Sequence, residues 1–254
     1  MQAVRFFHDE SARYGIVKKD RICEISGTIF GDFKKGDREY PLFDVRILPP
    51  CQPSKIVCVG LNYTDHAKEL KMDMPDVPVL FIKPSTSVIG PEQEIICPRM
   101  AGQLDYEGEL AVIIKKKAKN LTQKEAKDFI LGYTCFNDVT ARDLQKKDGQ
   151  WTRAKSFDTF SPLGPYIVSD IDPNNLKIET YLNDKVRQSS NTSGMIFNVE
   201  SLVSFISSVM TLLPGDVIAT GTPKGVGPMQ EGDTVEVRIE GIGILENPVV
   251  SEKK

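Results

Sequence analysis

Apolar residues in this chain fall in short runs cut by glycine, proline and charged turns, the pattern of strands rather than long helices. Runs at 4–7, 14–17 and 22–25 predict a small N-terminal β module over residues 1–50. The Pro-rich string 48–53 then breaks regular structure and reads as a boundary, leaving 51–254 as the larger domain. Residues 55–60 and 79–83 read as strands, the second stopped by Pro84. Between them lies a short helix with Thr64 as N-cap candidate and Asp65 in its first turn, ended by Pro75 and Pro78.

Thr122-Gln123-Lys124-Glu125 is a capping box, and it predicts a helix running to about Leu131. A strand follows over 130–138. Asn198 caps a helix whose apolar positions Leu202, Phe205, Ile206, Val209 and Leu213 fit a 3.6-residue period, and Pro214-Gly215-Asp216 stops it. Val235, Val237 and Ile239 share one face of a strand that returns after Gly241. No internal repeat and no regular alternation of strand and helix is present. The fold class is therefore mainly β with short helices (α+β).

Composition mostly excludes. With 32 basic and 35 acidic residues in 254, net charge −3, the chain has no electrostatic footprint for nucleic acid or an anionic membrane. Lys115-Lys116-Lys117 reads as a solvated loop. No stretch approaches the roughly 18 uninterrupted apolar residues of a membrane span, and residues 1–9 lack the apolar segment of a signal peptide. Five scattered cysteines with no C-x-x-C pair read as free thiols in a reducing compartment, so a cytoplasmic location is expected.

The chemistry concentrates in Leu104-Asp105-Tyr106-Glu107-Gly108-Glu109, at the mouth of the apolar run 110–114. In a strand, side chains at i and i+2 leave the same face, with Cα atoms roughly 6.5 Å apart. Exposed pairs of this kind are common on solvent-facing strands. Two carboxylates crowded on a buried face, however, repel unless a cation lies between them. Gly108 lets the backbone bend or approach a neighbour closely. Asp138 ends another apolar run and offers a third oxygen. Three carboxylates with no histidine or cysteine beside them point to Mg²⁺ or Mn²⁺ rather than zinc.

His66 and Glu69, three apart on the short helix, share a face. They are either a surface pair or a general base whose imidazole is oriented by a carboxylate. Lys155, in Trp151-Thr152-Arg153-Ala154-Lys155-Ser156-Phe157-Asp158, is either solvated or placed to bind a carboxylate. The loop Gly221-Thr222-Pro223-Lys224-Gly225-Val226-Gly227 could present N–H groups to an anion or form an ordinary tight turn; it lacks Walker A spacing.

Taken in order, Gly60-Leu61-Asn62-Tyr63…His66…Glu69, Phe81-Ile82-Lys83-Pro84-Ser85, Asp105-Tyr106-Glu107-Gly108-Glu109-Leu110, Asn137-Asp138-Val139-Thr140-Ala141-Arg142-Asp143, Lys155-Ser156-Phe157-Asp158 and the 221–227 loop resemble the fumarylacetoacetate hydrolase family. The similarity covers about residues 55–248. It is closest to the acylpyruvase, oxaloacetate decarboxylase and 2-hydroxyhepta-2,4-diene-1,7-dioate isomerase branch, and residues 1–50 resemble the N-terminal extension of bacterial and archaeal members. The resemblance implies a mixed β-roll or sandwich in a homodimer, with Mg²⁺ (or Mn²⁺) on Glu107, Glu109 and Asp138. It implies a His66–Glu69 dyad on a lid, with Arg142, Gln145 and Lys155 on the oxygens of a small 2-keto acid substrate and Thr222 on its carboxylate.

The implied reaction is hydrolysis of a C–C bond in an acylpyruvate-type β-diketo acid through a metal-stabilised enolate. The alternatives are decarboxylation of oxaloacetate, isomerisation of 2-hydroxyhepta-2,4-diene-1,7-dioate, and a catalytically silent ligand-binding dimer. The lid is expected over residues 62–76, where Met72 and Met74 suggest loose packing, and is expected to stand away from the metal until a ligand closes it.

Overall fold

The computed structural model describes residues 1–70 and 73–253, so Met72 of the expected lid lies outside the described residues. The N-terminal strands are β1 (Gln2–His8), β2 (Ser11–Lys18), β3 (Arg21–Gly27), β4 (Phe33–Pro41) and the short β5 (Arg46–Ile47). After the Pro-rich break come β6 (Lys55–Gly60), helix α1 (Thr64–Leu70), β7 (Val79–Pro84), β8 (Val88–Ile89) and β9 (Ile95–Cys97). The middle of the chain supplies β10 (Leu104–Tyr106), β11 (Gly108–Ile114), α2 (Gln123–Ala126), β12 (Ile130–Asn137), β13 (Thr140–Ala141), α3 (Arg142–Asp148) and α4 (Thr152–Lys155). The last third holds β14 (Ser161–Val168), β15 (Lys177–Leu182), β16 (Lys185–Asn191), α5 (Val199–Val209), β17 (Val217–Ala219), β18 (Gly227–Met229), β19 (Thr234–Ile239) and β20 (Gly243–Ser251). The molecule is mainly β with a few short helices.

The largest sheet runs β4-β3-β2-β1-β14-β12-β11-β17-β6-β7, with β5 attached to β1 and β8 to β14. It is mixed: β17 lies parallel to β6, while β11 is antiparallel to both β12 and β17. β1 pairs with β14 through Gln2↔Val168 and Ala3↔Ile167, so the N-terminal strands share main-chain hydrogen bonds with the sheet that follows. A second sheet, β16-β15-β19-β20-β9, covers one face of the first, and β13-β10-β18 forms a small third sheet.

β11 is buried on both faces, which is why its sequence is a continuous apolar run rather than an alternating one. Leu110, Val112 and Ile114 pack with Ile178, Val237 and Ile239 of the covering sheet and with Leu202 and Ile206 of α5. Ala111 and Ile113 face the other way, toward Ile56, Cys58, Phe136 and the N-terminal Ala3 and Ile16. Each fully buried Leu, Ile or Val contributes about 1.5–3 kcal/mol. The strand that leads out of the carboxylate pair is thus among the most firmly held in the molecule.

Two sequence expectations needed adjustment. The capping box at Thr122–Glu125 forms, but the helix ends at Ala126 and one 3₁₀ turn (Lys127–Phe129) follows. Ile130 already pairs with Ile114, so the sheet takes the residues expected in the last helical turn. Asn198 caps α5 as predicted, yet the helix stops at Val209; Val209 and Leu213 are exposed, and the buried stripe is Val199, Leu202, Val203 and Ile206. The five cysteines are free. Among the described residues no helix is long and apolar enough to cross a membrane.

Candidate metal centre and active site

Glu107 occupies the gap between β10 and β11, and Asp138 directly follows β12. The antiparallel register sets Gly108 opposite Asn137 and Glu109 opposite Phe136. One further step along this ladder puts Glu107 opposite Asp138, and the Asp138 N–H donates to the Glu107 carbonyl at 2.8 Å. Glu109 joins them because alternate residues of a strand share a face. Oxygens of the three carboxylates lie within 4.8 Å of one another, and all three residues are buried. Gly108 is required by space: a Cβ there would collide with Thr180 Oγ1. Its N–H donates to Gln188 Oε1 at 2.9 Å, which ties the bend to the covering sheet.

Cations surround the acids unevenly. Lys155 Nζ donates to Glu107 Oε2 at 2.9 Å and to Asp138 Oδ2 at 2.6 Å. Lys83 Nζ donates to Asp138 Oδ1 at 2.5 Å. Arg142 pairs with Glu107 Oε1, donates from Nε to Asp105 Oδ2 at 2.8 Å and from Nη1 to Gln145 Oε1 at 2.6 Å. Glu109 accepts a single hydrogen bond among the described residues, from the Gly221 N–H at 2.8 Å.

The electrostatics follow. Burial pushes Glu107 up, but Lys155 and Arg142 outweigh it and hold the carboxyl down at about 2. Burial pushes Glu109 well above the usual carboxylate range, and Asp138 and Glu107 push the same way. Burial alone would lower Lys155, but Asp138 and Glu107 raise it and keep it charged. A cluster of hard oxygen donors with one acid still short of positive charge fits a divalent ion such as Mg²⁺ or Mn²⁺.

The same cavity, about 290 Å³, is lined by the three carboxylates, His66, Arg142, Gln145, Lys155 and Thr222, with Phe81 and Trp151 on its apolar side. Phe81 and Trp151 stack edge to face, ring centroids 5.2 Å apart. On α1, His66 Nδ1 meets Glu69 Oε2 at 3.1 Å, and the Gly225 N–H reaches the same carboxylate at 3.2 Å. His66 is buried and Glu69 exposed. The Thr222 hydroxyl donates to the Gly108 carbonyl at 2.9 Å and accepts from Gln188 Nε2 at 2.8 Å. Of the candidate site residues named from the sequence, all but Glu69 line this cavity, and Glu69 reaches it through His66.

The expected lid is half anchored. Asn62 is fully buried and donates from Nδ2 to the Thr220 and Phe197 carbonyls at 2.7 and 3.0 Å. Its Oδ1 accepts from the Phe197 N–H at 2.8 Å. These bonds seat the start of α1 on the cavity wall, so this part does not stand away from the carboxylates. Met74 and Val77 are exposed.

Sequence reasoning missed Lys83 and gave no role to Asp105 or Gln188. The one signal for Lys83 was a lone cation ending the apolar run of β7 at an inward position.

Comparison with known proteins agrees with this fold. The fumarylacetoacetate (FAA) hydrolase C-terminal family matches residues 55–250, and the Rv2993c-like N-terminal family matches 1–50. Human mitochondrial oxaloacetate tautomerase FAHD2B is 44% identical, covering 83% of this chain and 71% of its own. The structure of 2-hydroxyhepta-2,4-diene-1,7-dioate isomerase from Mycobacterium marinum superposes with TM-score 0.94 at 46% identity, over 100% of both chains. That of maleylpyruvate hydrolase from Sphingobium sp. SYK-6, solved with manganese(II) and pyruvate, gives TM-score 0.84 at 29% identity, over 100% of both chains. The named relatives are enzymes, and the chain belongs to the fumarylacetoacetate hydrolase family.

Proposed function

We propose that this chain is a divalent-metal-dependent enzyme of small 2-keto acids, with His66 as its proton-transfer group. The observation that carries the reading is the cavity lined by both the carboxylate triad and His66, whose ring meets Glu69 behind it. Glu107, Glu109 and Asp138 would hold Mg²⁺ or Mn²⁺, which supplies Lewis acidity toward substrate oxygens when bound. Lys155, Arg142 and Gln145 would hold the carboxylate and keto oxygens, and Thr222 would add to them by turning its hydroxyl from the Gly108 carbonyl. In the neutral tautomer whose Nδ1–H donates a hydrogen bond to Glu69, His66 keeps a lone pair on Nε2 as a base.

In hydrolysis of an acylpyruvate, His66 takes a proton from water as its oxygen attacks the acyl carbonyl. The C–C bond then breaks, its electron pair stays with the pyruvate fragment as an enolate, and the proton returns to carbon. A second reading is isomerisation or tautomerisation of a 2-keto diacid, in which His66 moves a proton on carbon and no water attacks. It is supported by the names of relatives at 44–46% identity, with solved structures named as hydrolases at 40% and 29%. Oxaloacetate decarboxylation would use the same enolate. A silent dimer is disfavoured by the intact triad and dyad. A homodimer is part of the proposal; edge strand β7 exposes Val79 and Ile82 beside an apolar groove, and analytical ultracentrifugation tests it.

Turnover of acylpyruvates, fumarylpyruvate, oxaloacetate and the dienoate diacid with Mg²⁺ discriminates the reactions. His66→Ala is expected to slow acylpyruvate cleavage by about 10²–10⁴-fold and to affect decarboxylation less. Equal losses in both would remove His66 from the water-activating role.

A further inference from the structure

Lys83 is fully buried near the end of β7. Its ammonium has three protons and meets three acceptors: Asp138 Oδ1 at 2.5 Å, the Phe160 carbonyl at 2.5 Å and the Val139 carbonyl at 3.2 Å. It does not line the cavity. A lysine so saturated has no proton left for a substrate, and a hydrophobic residue would fill the same space without the desolvation cost of a buried charge.

We infer that Lys83 is a positioning residue for Asp138. It pins Oδ1 in the wall and leaves Oδ2 toward the cavity, where Lys155 now sits on it. The inference rests on reading the triad as the metal site. Charge points the same way. With Arg142 shared between Glu107 and Asp105, a divalent ion compensates two of the three triad carboxylates and Lys83 faces the third from outside the cavity. Lys155, which does line the cavity, is thereby released from Asp138 and Glu107 to meet a substrate oxygen once an ion is bound. Two lysines on one aspartate thus divide the work: one is fixed, the other exchangeable.

The test is Mn²⁺ binding to the full-length protein by calorimetry, with thermal unfolding of the metal-free protein alongside. Lys83→Met is expected to weaken Mn²⁺ binding about 10–100-fold, the usual loss when a group that orients a metal ligand is removed. Turnover at saturating Mn²⁺ should recover to within a few-fold of wild type. In a double variant with Asp138→Asn the losses should not add, because Lys83 acts through that carboxylate. Unchanged Mn²⁺ affinity in a folded Lys83→Met protein overturns the proposal. Should Lys83→Met fail to fold, Lys83→Gln, which keeps N–H donors, replaces it; failure of both assigns Lys83 to the fold alone and also overturns it. Absence of Mn²⁺ binding by the wild type would instead overturn the metal reading of the triad, so the two failures are distinct.

Discussion

Asp216 and Glu109 are buried acids at opposite ends of β17, and their surroundings differ sharply. Asp216, just before the strand, accepts from the Ser54 N–H at 3.0 Å, the Ser54 hydroxyl at 2.6 Å, the Lys55 N–H at 3.3 Å and the Leu213 N–H at 2.8 Å, and it pairs with Lys55 Nζ. Glu109, which meets Gly221 just past the other end, accepts one N–H and faces two further carboxylates. Both charges have left water, but only one has been compensated. Asp216 closes a loop and stitches β6 to β17; Glu109 stands in a cluster that a cation would complete. Burial therefore does not separate these two acids, whereas their partners do: Asp216 meets four donors and an ammonium, Glu109 one N–H.

The largest expected effect comes from the satisfied acid. Asp216→Ala removes one side of a buried ion pair and orphans the Ser54, Lys55 and Leu213 N–H groups. Breaking such a pair costs about 3–5 kcal/mol, and urea unfolding should read a loss of that size. Mn²⁺ affinity of the folded fraction should be unchanged. A loss under about 1 kcal/mol would place Asp216 among ordinary surface pairs and dissolve the contrast.

Glu109→Gln should behave oppositely. It removes a charge that Asp138 and Glu107 repel, so metal-free stability should hold or rise. What disappears is stabilisation by the ion. At a hundred times its dissociation constant a ligand adds about 2.7 kcal/mol, and thermal unfolding with and without Mg²⁺ should show that gain in wild type and not in the variant. A Glu109→Gln protein as destabilised as Asp216→Ala would mean that Glu109 is part of the scaffold.

The carboxylates were legible because their convergence needs only strand alternation and an apolar run on each side. The ladder that sets Glu107 against Asp138 was not, since register depends on pairing between segments remote in sequence. The join of β1 to β14 was hidden for the same reason. Lys83 was obscured by type, as lysines are seldom fully buried. The α2 helix was over-extended because a capping box marks where a helix starts and carries no information about the strand that claims its end.

The smallest expected effect repeats the contrast inside one segment. Asn62 is satisfied on both its amide nitrogen and its oxygen, and the Ile196 N–H donates to its carbonyl at 2.7 Å. Asp73, Met74, Asp76 and Val77 are exposed. If compensation sets which parts hold still, hydrogen exchange should be slow at Asn62 and Tyr63 and fast at 73–77, since poorly packed, solvent-exposed segments open at low free-energy cost. Oxalate with Mg²⁺, a chelating mimic of a 2-keto acid, should slow exchange at 73–77 and leave Asn62 unchanged, because Asn62 has no further partner to gain. A base seated on a firm root beside a mobile flank would let closure exclude water while His66 keeps its place. Equal protection across 62–76, with and without oxalate and Mg²⁺, would remove the lid and leave His66 in a preformed site.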